Sequence, residues 1–534
     1  MQGKNYYHGL ILGFVCVCSF FVHLGVFEPD LMEARNFVTA REMVEEGNYL
    51  LPEMNAKPRL EKPPLPTWMT AIMYRFQGET LFFLRLPAAL IATMLVFFFH
   101  ALLRRIFDDK ETALVGAIAL ASFPMIVEMG RTGSWDIFCQ AFMLGAVFFL
   151  YNAFQQQQTR YGLYLMAGIF IGLSAMSKGP VAIYGMLLPF LIAYGMSYGY
   201  KNIKAHLTAI TAMLLVAIGI ASWWYIYVRL EVPEISTQIA NKEVEAWSNR
   251  HTRPFWFYLS FPLFTGAWLA FLLPSFAYKK FVTAKPLGKA YKVAFWWALW
   301  TLFLLSVIPE KKERYLLPIF PPLAMLVTFA FHKLRNEGYT GLGRIAFLSF
   351  AILLLLIALA GPPGLYALFV SKGYMSWGAL LAAGLLLLAV AAIVIMAIKK
   401  QNAMQLVFSA VVVLAVVTTF VLPALPEFKY KNPDYREIGV IQNELWYSEQ
   451  AFYTDLDLNL KAIWRVGKPV TMVLPTESWP ADQFILISEN TLPELLKPLE
   501  NERKSAIHLG TYDYFRKKSK HKLHVYQVPA IASH

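Results

Sequence analysis

Arg59, Glu61 and Lys62 stand beside Pro63-Pro64 in the stretch RLEKPPLPTW, residues 59–68, and similar charges recur in isolated places along the chain. Asp30, Glu33, Arg35, Arg41 and Lys57 precede them. Arg131 with Asp136, Lys178 before Gly179-Pro180, Lys242, Glu243, Arg250 and Arg253, and the stretch PEKKERY at 309–315 follow. These residue types suit chemistry on a phosphate. Lys offers a point charge and Arg a planar fork of donors, so Lys62, Arg59, Arg253 and the Lys311, Arg314, Tyr315 run are candidates to stabilise an anion growing on a leaving phosphate. A carboxylate opposite, from Asp30, Glu33 or Asp136, would act as a base on a hydroxyl or steady positive charge.

Each candidate also has a plainer reading. Asp30 and Glu33 have the spacing of an N-cap with a Glu at the third helical position, opening a helix that ends before Gly47. Phe37, Ala40 and Val44 on one face of that helix suit a segment lying in the membrane interface. Asp136 follows Ser134 at a helix start, where any acid is favoured. Lys178 reads as a snorkelling lysine before a Gly-Pro break, and Lys311 with Lys312 as solvated rim charges. Lys62 can simply pair with Glu61, although the prolines after it restrict the backbone and pre-set its direction.

The elements that would carry these residues are mostly apolar. Of 534 residues, 57% are hydrophobic and only 16% charged, more apolar surface than a soluble protein of this length buries. Stretches long enough to span a bilayer fall near residues 8–27, 80–103, 112–128, 135–154, 162–177, 180–198, 205–228, 256–277, 291–308, 315–332, 344–360, 376–398 and 404–422. The pattern predicts a polytopic α-helical membrane protein of about thirteen transmembrane helices. The first run has no small-residue cleavage pattern after it and reads as a retained helix.

Lys4, Arg104 with Arg105, Arg160, Lys201 with Lys204, the Lys279 to Lys292 group, Lys333 with Arg335, and Lys399 with Lys400 then all fall on one side, the cytoplasmic one. The formal net charge of +13 is distributed in these topogenic clusters, so no nucleic-acid partner is expected. The charges of the opening paragraph lie on the opposite side, where positive charge opposes the topogenic rule and an anionic ligand explains its presence.

A transmembrane part, 1–423, with a first outer loop at about 28–79, is expected to precede a domain at 424–534 on the outer side. There KPVTMVLP, QFILIS and KLHVYQV read as strands and LPELLKPLENERK as a helix, giving a small α/β unit. QQQQ at 155–158 reads as a cytoplasmic turn. Cys16, Cys18 and Cys139 lie in apolar runs and read as small hydrophobes. No Walker loop, Rossmann fingerprint or zinc-binding His pattern is present in the sequence.

The stretch from Met32 to Trp68, MEARNFVTAREMVEEGNYLLPEMNAKPRLEKPPLPTW, resembles the first outer loop of bacterial membrane glycosyltransferases of the protein O-mannosyltransferase-like group, most closely the lipid A aminoarabinose transferases. RTGSWDIF, SKGP, HTRPFWFYL and KERYLLPIFPPLAML continue the likeness in order over most of the membrane part. The resemblance implies a C-type glycosyltransferase fold with a small C-terminal α/β periplasmic domain. It also implies transfer of a sugar from undecaprenyl phosphate to an acceptor outside the inner membrane. By that likeness the first-loop acid and Asp136 are the catalytic-region carboxylates, and Lys62, Tyr315 and nearby arginines hold the donor phosphate. Glu61, Arg35, Arg131 and Lys178 would support them. That group usually carries an adjacent Asp-Glu pair before the x-Arg. Here Met32 precedes Glu33 and the Asp lies at 30, so register favours Glu33 with Asp30 close behind.

The expected partners are a polyprenyl-phosphate sugar donor, a glycolipid, glycan or protein acceptor, and membrane lipids, with the protein a monomer in the bacterial inner membrane. No cofactor is required by this chemistry and no metal ligands are assigned, with a divalent metal near the site left open. A transporter or flippase for a lipid-linked sugar is the main rival, although it would place its polar groups near the bilayer midplane. A membrane scaffold displaying the tail is another, but it would not require charges of separate loops to converge.

Overall fold

The computed structural model describes residues 3–200, 203–239, 241, 251–277, 285–429, 432, 434–473, 480, 482–491, 506–514, 516 and 521–530. Lys242, Glu243 and Arg250, Lys201, the Lys279 group as far as residue 284 and the expected helix at 492–504 lie outside these residues. The chain forms two compact units, Met1–Val26 with Leu60–Met69 and Thr80–Ala424, and Phe27–Arg59 with Thr70–Glu79 and Leu425–His534. The expected division kept residues 28–79 with the transmembrane part. Most of that loop instead groups with the tail.

The first unit is helical. Among the described residues nine helices are long and apolar enough to cross a bilayer, and they coincide with nine of the thirteen expected stretches. The stretch near 112–128 is a pair, Lys110–Ser122 and Pro124–Gly130, bent by 65°. Phe123 between them takes extended dihedrals (φ −62°, ψ 126°) because Pro124 disfavours a helical conformation in the residue before it. The stretches near 8–27 and 180–198 appear as the shorter helices Tyr7–Phe21 and Ile183–Tyr198, and that near 162–177 as Tyr161–Lys178. Helices such as Trp377–Lys400 leave Leu381, Leu385 and Leu388 exposed, as a lipid-facing surface requires, whereas Trp135–Phe154 is buried along almost its whole length.

Small residues let the inner helices close on one another. A Cβ on Gly168 would lie 2.5 Å from the Met213 carbonyl oxygen, and one on Gly145 would lie 2.5 Å from the Phe170 ring. Only glycine permits the approach of Tyr161–Lys178 to Leu207–Glu231 and to Trp135–Phe154. This packing fixes the relative height of Asp136 and Lys178, each at an end of one of these helices. Cys16, Cys18 and Cys139 are buried and unpaired, Cys139 beside Ser174.

The second unit holds a five-stranded sheet among its described residues, with β1 (Phe452–Thr454), β2 (Val470–Met472), β3 (Phe484–Ser488), β4 (Ile507–Asp513) and β5 (Lys522–Val528). The order is β2-β1-β3-β5-β4, parallel on the β2-β1-β3 side and antiparallel on the β3-β5-β4 side. The three stretches expected as strands contain β2, β3 and β5. β1, β4 and the short helix Leu460–Val466 are additions. The side chain of Asn55 closes the β2 edge as a strand would, donating to the Val470 carbonyl at 2.8 Å and accepting from its N–H at 2.6 Å.

The helix Leu31–Glu45 departs from its expected place in a membrane interface. Phe37 and Ala40 are fully buried, and Phe37 packs against Trp464 with ring centroids 5.4 Å apart. Its apolar face covers the helix Leu460–Val466 of its own unit rather than lipid.

Candidate functional site

Asp136 lies in the first turn of Trp135–Phe154 behind the N-cap Ser134, and Lys178 in the last turn of Tyr161–Lys178. Each helix dipole favours the charge it carries there. Gly179 ends the second helix at φ +78°, a left-handed value open to glycine at little cost, and Pro180 follows. Lys178 Nζ donates to Asp136 Oδ1, and the pair is nearly closed to solvent, with side chains 9% and 4% exposed.

A third segment completes the group. The Glu313–Ile319 turn brings Arg314 Nε to 3.7 Å from Asp136 Oδ2. Neither of these buried atoms has a hydrogen bond among the described residues. The two face one another just beyond hydrogen-bond distance, so the guanidinium is held electrostatically while its Nε–H remains unspent. Tyr315 supplies the surface on which the cations gather: Lys178 Nζ is 4.7 Å, Lys312 Nζ 5.5 Å and Arg314 Cζ 5.9 Å from its ring centroid. Lys312 Nζ donates to Glu310 Oε1 at 2.7 Å, and the Tyr315 hydroxyl lies 3.4 Å from the same oxygen.

The segment before this turn is pinned to residues 251–253. Thr252 and Glu310 form an antiparallel bridge, the Arg253 N–H donates to the Pro309 carbonyl at 3.2 Å, and the Lys311 N–H donates to the His251 carbonyl at 3.2 Å. Arg253 is exposed, with its guanidinium 6.0 Å from the Phe257 ring centroid.

The expected residues therefore divide. Asp136, Lys178, Arg314 and Tyr315 come together, and Lys178, expected as a support, pairs directly with Asp136. Lys311 is a correction: its ammonium donates to the carbonyls of Arg253 at 3.2 Å and Ile308 at 2.5 Å, and it is 3% exposed. Burial lowers its pKa. Its neighbour Lys312 reaches Tyr315 instead, so neither lysine is a solvated rim charge of the simple kind. Arg131 is a second correction. Its guanidinium donates to the Ser19 and Val22 carbonyls, at 3.1 and 2.5 Å, and ties down the end of the first helical segment.

Asp30 and Glu33 belong to the other unit and form a full capping box. Asp30 Oδ1 accepts from the N–H groups of Met32 and Glu33 at 2.6 and 2.8 Å, and Glu33 Oε2 accepts from the Asp30 N–H at 3.1 Å. Arg35 and Arg59 are also in that unit, whereas Glu61 and Lys62 are half-buried in the first. Sequence reading counted Lys312 only as one of the 311–315 cluster and did not assign Glu310 to the site. Their signal was the i, i+2, i+5 spacing with Tyr315, legible only once residues 310–312 are known to be extended. Among the described residues no three His, Cys, Asp or Glu side chains gather as metal ligands.

The helices, taken with the structural likeness that follows, place the chain among multi-pass membrane proteins with the C-type glycosyltransferase fold. The crystal structure of ArnT from Cupriavidus metallidurans bound to undecaprenyl phosphate superposes with a TM-score of 0.74 over 100% of this chain and 99% of that one, at 17% sequence identity. Residues 61–223, which include Lys62, Asp136 and Lys178, match the dolichyl-phosphate-mannose-protein mannosyltransferase family.

Among curated relatives, undecaprenyl phosphate-alpha-4-amino-4-deoxy-L-arabinose arabinosyl transferase 2 of Pseudomonas fluorescens is 26% identical over 309 residues, 57% of this chain and 52% of the relative. The corresponding transferase of Enterobacter sp. strain 638 is 25% identical over 342 residues, 61% of this chain and 59% of the relative. The chain thus spans little more than half the length of the curated relatives it matches.

Proposed function

We propose that this protein is an integral membrane glycosyltransferase that moves a sugar from undecaprenyl phosphate to an envelope acceptor on the periplasmic side of the bacterial inner membrane. The likeness to the arabinosyl transferases makes aminoarabinose the first sugar and lipid A the first acceptor to try. The observation that carries the reading is the convergence of Asp136, Lys178 and Arg314 around Tyr315 from three separate segments.

In the reaction an acceptor oxygen bonds to the anomeric carbon while the bond from that carbon to the donor phosphate oxygen breaks. The electron pair leaves with undecaprenyl phosphate. Positive groups aimed at that phosphate lower the barrier because the negative charge there grows as the bond breaks. Arg314 has an unspent Nε–H for this role, and Lys312, Lys62 and Arg253 are further cations of the same unit. Asp136 keeps Lys178 and Arg314 in place and would meet positive charge developing on the sugar. A hydroxyl acceptor would lose its proton to a carboxylate, whereas a phosphate acceptor attacks as an anion and needs no base. The chemistry calls for no organic cofactor, and assays with and without a chelator decide whether a divalent ion contributes.

The test is transfer in lipid nanodiscs from a defined undecaprenyl-phosphate sugar, with mass spectrometry of the glycolipid and protein products. Asp136→Asn and Lys62→Ala are expected to insert and fold but lose transfer. Wild-type rates in both would sink the site assignment. Sugar found on secreted protein instead of lipid A would keep the reaction and change the acceptor.

A further inference from the structure

Residues 310–312 run extended, as the Thr252–Glu310 bridge and the Lys312 dihedrals (φ −137°, ψ 147°) show. In extended backbone alternate side chains share a face, so Glu310 and Lys312 point one way and Lys311 the other. Lys311 locks the segment from behind through the Arg253 and Ile308 carbonyls. In front, the single oxygen Glu310 Oε1 lies 2.7 Å from Lys312 Nζ and 3.4 Å from the Tyr315 hydroxyl, and these two groups lie 3.4 Å from each other.

The Tyr315 ring thus gathers three cations, Lys178, Lys312 and Arg314, and two carboxylates divide them. Asp136 serves Lys178 and Arg314, and Glu310 serves Lys312. Glu310 is 14% exposed at its side chain, so its charge is only partly screened by solvent. It therefore governs how much positive charge the group presents to an anion.

We infer that Glu310 is a positioning residue of this site: it aims Lys312 and Tyr315 at the phosphate and, through its charge, limits how tightly the polyprenyl phosphate product is held. The inference rests on the reading of the Tyr315 group as a polyprenyl-phosphate site. A leaving phosphate must be stabilised strongly in the transition state yet released afterwards, and a resident carboxylate weakens binding of ground state and product more than a neutral residue would.

The experiment uses the full chain in lipid nanodiscs and measures binding of sugar-free undecaprenyl phosphate beside steady-state transfer from a defined donor. Glu310→Gln keeps an acceptor oxygen but removes the charge. It is expected to bind undecaprenyl phosphate on the order of tenfold more tightly, with donor KM and kcat falling together as product release slows. Adding Lys312→Gln is expected to cancel the gain in affinity, because the effect runs through that ammonium. If Glu310→Gln does not fold, Glu310→Asp, which draws the carboxylate back from both partners, is expected to bind about threefold more tightly.

Unchanged or weaker binding in a folded Glu310 variant, with only thermal stability altered, would mean that Glu310 merely braces the paired segments. If the wild-type protein binds no undecaprenyl phosphate, the functional reading itself falls and this inference with it. Wild-type binding that the variants leave unaltered overturns the inference alone.

Discussion

Among the described residues, Tyr435 and Tyr315 are each ringed by cations, and the difference between them distinguishes a brace from a candidate site. Around Tyr435, in the second unit, Arg465 and Arg516 lie 5.5 and 5.9 Å from the ring centroid. Each is answered by two carboxylates: Arg465 by Glu28 at 2.6 Å and Glu437 at 3.1 Å, Arg516 by Glu427 at 2.8 Å and Glu28 at 3.5 Å. Arg465 also donates to the Tyr435 hydroxyl. Around Tyr315 the supply is shorter. Asp136 is divided between Lys178 and Arg314, and its second oxygen stops 3.7 Å from an Arg314 Nε–H that has no hydrogen bond. Saturated guanidiniums hold a fold together, whereas unspent ones retain the capacity to take up an anion.

Replacements on the two sides should fail in different ways. Asp136→Asn and Lys62→Ala carry the largest expected effect, a loss of transfer on the order of a thousandfold per folded molecule, with some loss of stability in Asp136→Asn because the buried Lys178 ammonium loses its carboxylate. Parity of both with wild type in the nanodisc assay would erase the distinction between the two tyrosines. Arg314→Gln comes next, with transfer lower by on the order of a hundredfold, since it removes the charge beside Asp136 but keeps a polar side chain. Around Tyr435, Arg465→Met should cost about 1–2 kcal/mol of stability, since Glu28 keeps Arg516 and Glu437 is half exposed. Transfer per folded molecule should stay the same, and a specific loss of transfer would put the second cluster in the machinery as well.

A smaller effect concerns Glu42. It is 3% exposed and accepts the N–H groups of Asn55 and Ala56, at 2.8 and 3.0 Å, in a turn where both residues have positive φ. An amide in its place accepts with one oxygen only, so Glu42→Gln should cost about 1–2 kcal/mol. Burial raises the Glu42 carboxyl above its ordinary pKa, although the two N–H groups and Arg41 pull the other way. A raised folded-state pKa contributes stability that is fully present below the unfolded value, near pH 4, and is lost as pH rises through the folded one. The gap in melting temperature between wild type and Glu42→Gln should therefore narrow as pH is raised above about 4. A gap that widens with pH would reverse the sign assigned to burial.

The subtlest test is Asp30→Asn with Glu33→Gln. Asn retains N-cap geometry and Gln can still accept at the third helical position, so the helix Leu31–Glu45 should persist. Full transfer in both would leave these acids as caps alone, while a selective loss in either would assign it chemistry, as the resemblance implies for a first-loop acid.

Much of the site was legible because rare residues stand out against an apolar chain. Asp136, Lys178 and Arg314 are conspicuous for that reason, Tyr315, one of 27 tyrosines, was singled out by the resemblance, and the capping box at Asp30 and Glu33 follows from local spacing. Lys311 and Lys312 show the limit. Adjacent and chemically identical, they differ only in which side of an extended segment they occupy, and that parity is set by the pairing of residues 309–311 with 251–253. Arg131 shows it differently, since nothing local indicates that the carbonyls of residues 19 and 22 will need its donors.

The sequence by itself determined the membrane-spanning character, most of the helices, the small C-terminal α/β unit and the segments from which the candidate site is drawn. Each of these depends on composition and period, which are properties of neighbouring residues. Only the tertiary structure decided that Phe37 covers Trp464 instead of lipid, that Lys312 and not Lys311 reaches Tyr315, and that Glu310 holds both. Those outcomes depend on which distant backbone comes to lie alongside, where an ammonium or a ring settles against the partner that best offsets its lost water.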